Sequence, residues 1–163
     1  MQVFDASSII HAWDHYPAAQ FPPLWRWLER QMAEKKLGIC EVALSEVRRR
    51  SPDCYTRLRA ANITCFPITD ETVKKAAQVK ALLGIAGEKY NPAGVGENDL
   101  LIVASACVNR QRLVSNENRQ WDLPLNKAKY KIPLVCSLPQ VGVTCIDFLA
   151  LIQNSGEVFE GGR

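Results

Sequence analysis

Short apolar runs alternate with longer segments of helical periodicity along the whole chain. β-branched and aromatic runs are typical of strands, and here they predict four strands followed by a final strand-to-helix unit. These runs are QVF (2–4), ITCFPI (63–68), RLVS (112–115), IPLVC (132–136) and VTCIDFLALIQN (143–154).

The segments between the strands carry apolar residues three and four positions apart, which predicts helices. They cover 7–16, 22–38, 40–51, 53–62, 69–84 and 98–109. Ser7 or Ser8 is the predicted cap of the first helix and Thr69 of the fifth, because their hydroxyls can accept from free backbone N–H groups. Gly38 is predicted to terminate the second helix.

Alternation of strands and helices predicts an α/β fold, a three-layer α/β/α sandwich with a mostly parallel sheet. A chain of 163 residues suits one domain with a sizeable core. We expect that domain to cover residues 1–154 and residues 155–163 to form a flexible C-terminal tail.

Composition narrows the class of protein. Hydrophobic residues make up 47% and charged residues 23%, which is typical of a globular domain. No apolar run is long enough for a membrane span and no signal peptide is recognisable, so we expect a cytoplasmic protein.

The six cysteines are scattered singly, which favours reduced thiols over a disulfide set or a zinc site. A net charge of +3 is compatible with a polyanionic partner.

Four acidic residues stand where strands end or helices turn an apolar face inward: Asp5, Glu46, Asp99 and Glu117. Ligands of parallel sheets gather at the carboxyl ends of the strands, so these side chains are expected to meet. Converging carboxylates repel one another unless a cation lies between them. Hard divalent ions such as Mg²⁺ or Mn²⁺ prefer oxygen ligands and would resolve the conflict.

Each acid also has a structural interpretation, which the sequence leaves open. Asp5 and Asp99 could cap the helices that they begin, since acids are favoured at helix N-termini. Glu46 could pair with Arg49 or Arg50 on its own helix, and Glu117 could be an ordinary loop residue.

The segments VFDASSII (3–10), EVALSEVRRR (41–50) and NDLLIVASACVNRQRLVSNE (98–117) together resemble the PIN domains, a family of metal-dependent ribonucleases. The similarity extends from about residue 2 to 153, and its later segments resemble a bacterial subgroup of stand-alone PIN-like toxins. Two positions depart from the family pattern: Glu117 stands in place of an aspartate, and Val47 in place of a leucine.

The resemblance implies hydrolysis of RNA phosphodiesters with Mg²⁺ or Mn²⁺ as cofactor. Asp5 and Asp99 would be the principal metal ligands, with Glu46 and Glu117 completing the catalytic and metal-binding set. Ser7, Ser115, Asn116 and Glu97 are the expected supporting residues, and Glu97 or Asp122 could replace Glu117 as ligand. The resemblance also implies a toxin with a cognate antitoxin protein as partner, and it leaves open whether the chain forms a homodimer.

Basic residues offer an RNA-binding surface beside Glu46. Arg48, Arg49 and Arg50 are the predicted contacts to RNA phosphates, although the same residues also fit a solvated helix face. Arg57 and Arg59 extend this basic cluster, and a second cluster of lysines surrounds Tyr130.

Three other functions are weighed against this one. His11 and His15 have a spacing that can bind zinc, but no third ligand is evident. Ser7 occupies the position where an aspartate-nucleophile phosphatase would carry a second aspartate. A catalytically silent PIN-like domain that binds nucleic acid or a protein partner is the alternative that Glu117 favours.

Overall fold

The computed structural model describes residues 1–160, and its centre is a five-stranded parallel sheet. The strand order is β3-β2-β1-β4-β5, and every pairing within it is parallel. The strands are β1 (Gln2–Phe4), β2 (Leu37–Cys40), β3 (Thr64–Phe66), β4 (Arg112–Val114) and β5 (Cys145–Ile146).

Eight α-helices connect and cover these strands within residues 1–160. They are α1 (Ala6–His15), α2 (Pro22–Ala33), α3 (Glu41–Arg50), α4 (Pro52–Ala60), α5 (Asp70–Leu82), α6 (Glu97–Val108), α7 (Ile132–Cys136) and α8 (Phe148–Ser155). A short 3₁₀ turn covers Lys127–Lys129.

Strand β1 lies at the middle of the sheet, where Phe4 pairs with Ile39 of β2 on one side and Val114 of β4 on the other. The chain builds the sheet outward from β1 to β3 and then returns to add β4 and β5 on the opposite side. The carboxyl ends of β1 and β4 therefore form the topological switch point, where ligands of such sheets bind.

Apolar faces of the helices and strands form one continuous core. Ile9 of α1, Leu28 of α2 and Ile39 of β2 are completely buried. Helix α1 packs against α8, and α5 packs against α6. The predicted fold class, a three-layer α/β/α sandwich with a parallel sheet, is confirmed.

One strand prediction is wrong. The run IPLVC forms helix α7 rather than a strand. Pro133 occupies the first turn of this helix, where its missing N–H costs nothing. The last predicted strand, in contrast, is present as β5, and it pairs with β4 through Leu113 and Val114.

The sequence interpretation missed strand β2 because it assigned Leu37 and Gly38 to the end of α2. Gly38 lies inside β2 instead, and a Cβ there would lie only 2.9 Å from the Phe66 ring. Lys35, with a φ of 58°, makes the left-handed turn after α2. Gly38 is thus required by a close approach between β2 and β3, not by a helix end.

The capping predictions have mixed outcomes. Thr69 caps α5 as predicted, since its hydroxyl accepts from the Thr72 N–H. Asp5, not Ser7 or Ser8, is the residue that precedes α1. The buried Ser8 hydroxyl lies 2.7 Å from the Val114 carbonyl, so it ties α1 to β4.

The predicted tail lies partly outside the described residues, which end at residue 160. Within them, Glu157 forms an ion pair with Arg30 at 2.8 Å, and Phe159 packs edge-on against Trp27. All six cysteines have free thiols, as predicted. None of the helices in residues 1–160 has both the length and the apolar character required to cross a membrane.

Candidate metal centre at the carboxyl edge of the sheet

Asp5 follows the central strand β1 directly, and only 3% of its surface is exposed. Its backbone N–H donates to the Val114 carbonyl at 2.8 Å, which continues the β1–β4 pairing by one residue. Its Oδ2 atom accepts hydrogen bonds from the Ser7 hydroxyl and, at 2.9 Å, from the Ser115 hydroxyl. The carboxylate is therefore fixed at the switch point of the sheet.

Burial raises the pKa of Asp5, because removal from water disfavours the charged form. The hydrogen bonds from Ser7 and Ser115 lower this pKa, whereas the negative charges of Asp99 and Glu46 raise it further. Asp5 thus lies within electrostatic range of two other acids that are distant in sequence.

Asp99 lies in the first turn of α6, where its carboxylate caps the helix. Its Oδ2 atom accepts from the Gly96 backbone N–H at 2.8 Å, which is a helix-capping contact. Burial nevertheless raises the pKa of Asp99; the Gly96 hydrogen bond opposes this effect, and the charge of Glu46 adds to it. The carboxylate therefore caps a helix and also belongs to the acidic group.

Glu46 reaches the group from α3, with 21% of its side chain exposed. Its Oε1 atom lies 2.9 Å from Nη1 of Arg50, one helical turn further along. The predicted pairing with an arginine of its own helix is confirmed for Arg50. Glu46 still acts on its neighbours, because its charge raises the pKa of both Asp5 and Asp99.

Glu117 follows β4 and completes the group. Its Oε2 atom accepts from the Ile132 backbone N–H at 2.9 Å. Burial raises the pKa of Glu117 first of all, the Ile132 contact lowers it, and the charges of Asp99 and Asp5 raise it again. Lys131 has a smaller effect that lowers the pKa.

The predicted supporting residues divide into two sets. Ser7, Ser115 and Asn116 adjoin Asp5: the two hydroxyl oxygens are 3.4 Å apart, and the Asn116 N–H donates to the Ser7 hydroxyl at 3.0 Å. The Asn116 side chain accepts from the Phe148 N–H at 2.9 Å, which fixes the start of α8. Glu97, in contrast, is exposed, and the group on which its charge acts is Lys80.

The three predicted RNA-binding arginines lie at the exposed end of α3. Arg50 is paired with Glu46, and the Arg48 guanidinium lies 5.7 Å from the centre of the Tyr55 ring. The arrangement brings positive charge to the rim of the acidic group through Arg50.

His11 and His15 stack on each other with ring centroids 4.1 Å apart. Burial lowers the pKa of His11, and the neighbouring His15 lowers it further. The two imidazole rings thus form a stacked pair on α1.

An oxygen-only donor set without a lysine or arginine bound to Asp5 or Asp99 is chemically suited to a hard divalent cation. Within residues 1–160, however, no three His, Cys, Asp or Glu side chains are grouped closely enough to enclose a metal ion. Mg²⁺ is commonly held by one or two carboxylates together with water and substrate phosphates, so an enclosed cage is not required. The residues present fit an open site of this kind.

The sequence analysis assigned no role to the apolar residues of the segment 116–131. Trp121, Leu123 and Leu125 are 85%, 67% and 105% exposed, respectively. The signal that could have revealed them is their spacing, because three large apolar residues at alternate positions are unusual in a polar loop.

The fold and the arrangement of acids define an α/β domain with carboxylates at the switch point of a parallel sheet. The chain belongs to the family described as Domain of unknown function (DUF4411), whose model matches residues 2–159. No curated protein matches the chain.

Solved structures show similar folds. One is the crystal structure of VapBC2 from Rickettsia felis bound to a DNA fragment from their promoter, with 14% identity and a TM-score of 0.57 over 90% of this chain and 98% of that chain. Another is the structure of FitAB bound to the IR36 DNA fragment, with 12% identity and a TM-score of 0.49 over 90% of this chain and 94% of that chain. At such identities the likeness to VapBC2 concerns the fold.

Proposed function

We propose that this protein is a Mg²⁺- or Mn²⁺-dependent ribonuclease and the toxin of a toxin–antitoxin pair. One observation carries the proposal: the charges of Asp99 and Glu46 raise the pKa of Asp5, and the charges of Asp5 and Asp99 raise that of Glu117, although these acids come from separate parts of the chain and Asp5 lies at the switch point of the sheet. Perturbed carboxylates grouped in this way are typical of functional sites.

Asp5 and Asp99 would hold the ion, because each uses Oδ2 for contacts within the protein and neither is paired with a cation in the described residues. Ser7 and Ser115 position the Asp5 carboxylate through hydrogen bonds to that same oxygen. Glu46 and Glu117 would orient water or contact the ion from the rim.

A bound Mg²⁺ or Mn²⁺ ion would supply activation of water and stabilisation of charge on the phosphoryl group. The protein's own residues would orient the carboxylates and receive the RNA backbone. Arg48 and Arg49, exposed at the end of α3, would contact phosphates that enter beside Glu46.

The toxin assignment is supported by the fold. VapBC2 is a complex that was crystallised on a fragment of promoter DNA. By analogy, we infer that this chain binds a cognate antitoxin protein and acts as the effector half of the pair. The analogy is one of fold, and a cognate partner would have to be identified from the protein's own complexes.

The direct experiment measures cleavage of a labelled single-stranded RNA in Mn²⁺ or Mg²⁺, with EDTA as the metal-free control. Asp5→Asn and Asp99→Asn keep the size of each side chain but remove its charge. We expect either change to reduce cleavage by more than about 100-fold, since altering a residue that merely orients a metal ligand costs roughly 10- to 100-fold.

Glu29→Gln is the matched control, because it removes a carboxylate that is paired with Arg57 elsewhere on the surface. It should leave cleavage unchanged. Full cleavage by Asp5→Asn, or equal cleavage in EDTA and in Mn²⁺, would refute the nuclease assignment.

A catalytically silent domain is the second candidate, and two contacts favour it. Glu46 is already paired with Arg50, and Glu117 is bonded to the Ile132 N–H. In that case RNA would be bound without cleavage, and the wild-type protein and Asp5→Asn would give identical RNA profiles in Mn²⁺.

A further inference from the structure

The loop of residues 118–131, hereafter the 118–131 loop, carries an exposed apolar tip. Trp121 is 85% exposed, Leu123 67% and Leu125 105%. Exposure of a complete indole ring to water is unfavourable, so the position of Trp121 calls for a binding partner.

The base of this loop is held firmly in place. The Gln120 side chain donates to the Lys129 carbonyl at 2.9 Å and accepts from the Lys131 N–H at 2.7 Å. The Tyr130 carbonyl accepts from the Val95 N–H at 2.9 Å. A Cβ on Gly94 would lie 2.0 Å from the Ala128 carbonyl oxygen, so the two segments are in close backbone contact. The exposed tip therefore projects from a loop base that hydrogen bonds and a close backbone contact hold in place.

The 118–131 loop is strongly basic. It contains Arg119, Lys127, Lys129 and Lys131 against the single acid Asp122, a net charge of +3. Residues 48–59 form the other basic cluster. The exposed tip thus adjoins an excess of cations, which favours a polyanionic partner.

The loop is also continuous with the acidic group. Its two ends meet at Glu117, whose carboxylate accepts from the Ile132 N–H. A cavity of about 190 Å³ is lined by Ser115, Glu117 and Arg119. A second cavity, of about 270 Å³, is lined by Arg119 and Trp121. Arg119 lines both, so the two cavities adjoin between Glu117 and the indole.

We propose that the 118–131 loop binds the single-stranded RNA on which the acidic group acts, an inference that rests on the proposed function. Trp121 stacks on an unpaired base, while Arg119, Lys127 and Lys129 contact the flanking phosphates. An exposed aromatic ring beside a basic track is the combination by which proteins bind single strands with little sequence preference.

Binding is measured by fluorescence anisotropy of a fluorescein-labelled, unpaired 12-nucleotide RNA with the full chain in EDTA, where no metal-dependent cleavage occurs. Trp121→Ala should weaken the affinity about tenfold, and Trp121→Phe should retain most of it because a ring remains to stack. Lys127→Ala/Lys129→Ala should weaken binding and flatten its dependence on salt concentration.

Matched controls use exposed residues outside the loop. Leu149→Ala removes another apolar side chain that is 53% exposed, and Lys74→Ala/Lys89→Ala removes two exposed cations. Neither should change RNA affinity. Equal affinity of Trp121→Ala and the wild-type protein would overturn the proposal, as would an equal loss in Leu149→Ala. If Trp121→Ala abolished self-association in sedimentation but left RNA affinity intact, the tip would be a protein-docking surface and the proposal would be wrong.

The assay separates this inference from the proposed function. Trp121-dependent RNA binding without any Mn²⁺-dependent cleavage would refute the nuclease assignment but support RNA binding by the 118–131 loop. Cleavage with the same KM in the wild-type protein and Trp121→Ala would refute RNA binding by this loop but support the nuclease assignment.

Discussion

Two carboxylates on the surface and the two most buried ones at the carboxyl edge of the sheet have different partners. On the surface, Glu29 lies 2.7 Å from Arg57, and Glu34 lies 2.6 Å from Lys36, so each of these two acids has a cation beside it. Asp5 and Asp99 are more deeply buried, yet their partners are hydroxyl and backbone N–H groups.

This difference indicates the role of the buried carboxylates at the carboxyl edge of the sheet. Exposed ion pairs contribute little to stability and are screened by salt. Buried carboxylates that face one another are destabilising, and a fold would gain stability by replacing them. Their presence at a topological switch point is therefore better explained by ligand binding than by stability.

The largest effect is expected on the rate of RNA cleavage, when a hydroxyl that orients the Asp5 carboxylate is removed. Ser115→Ala removes one hydrogen bond to the Asp5 Oδ2 atom and should reduce Mn²⁺-dependent RNA cleavage by roughly 10- to 100-fold. Initial rates of cleavage at saturating Mn²⁺ measure this loss. Ser105→Ala, at a buried serine of α6 that contacts Asn109 instead, should leave the rate unchanged. Equal rates in both variants would show that Ser115 does not position the carboxylate.

A smaller effect is expected on stability in the absence of metal. Asp5→Asn removes a buried negative charge but keeps an oxygen that can accept from Ser7 and Ser115. The free energy of unfolding in EDTA at pH 7 should rise by on the order of 1 kcal/mol, equivalent to about 2–4 °C in Tm for a domain of this size. Urea denaturation checks the sign. Glu29→Gln should change stability by less than about 0.5 kcal/mol, and a destabilised Asp5→Asn would contradict the account.

The smallest effect is expected in the pH dependence of the stability difference between Asp5→Asn and the wild-type protein. Burial raises the pKa of Asp5, so the folded state keeps a proton at pH values where the unfolded chain has released it. The cost of the Asp5 charge is then absent below about pH 4, develops as pH rises through the raised pKa, and is complete above it. The stability advantage of Asp5→Asn in EDTA should therefore grow as the pH rises above about 4. An advantage that stays constant as the pH rises would rule out Asp5 as its source.

Much of the fold could be predicted because local patterns agree with the final structure. Residues 70–82 follow the capping residue Thr69 and have helical periodicity, and they form α5. Asp5 and Glu117 could be placed at one edge because parallel strands end together, which follows from chain order alone.

The errors lie where tertiary contacts override local signals. Residues 132–136 are apolar and include two β-branched residues, but they form a short helix in which Ile132, Val135 and Cys136 are buried. Gly38 looks like a helix end, and only the closeness of the Phe66 ring reveals why a glycine is needed within β2. The contact of Gln120 with both Lys129 and Lys131, which holds the base of the 118–131 loop, has no local signature.

The most direct test of the central claim is thermal unfolding during titration with Mn²⁺, compared between the wild-type protein, Asp5→Asn and Glu29→Gln. A native state that binds the ion gains about 2.7 kcal/mol at a concentration 100 times Kd. We predict that Tm rises with Mn²⁺ for the wild-type protein and equally for Glu29→Gln, and that it does not rise for Asp5→Asn. A rise in Asp5→Asn equal to that of the wild-type protein would show that the ion binds elsewhere, and the metal centre proposed around Asp5 would be wrong.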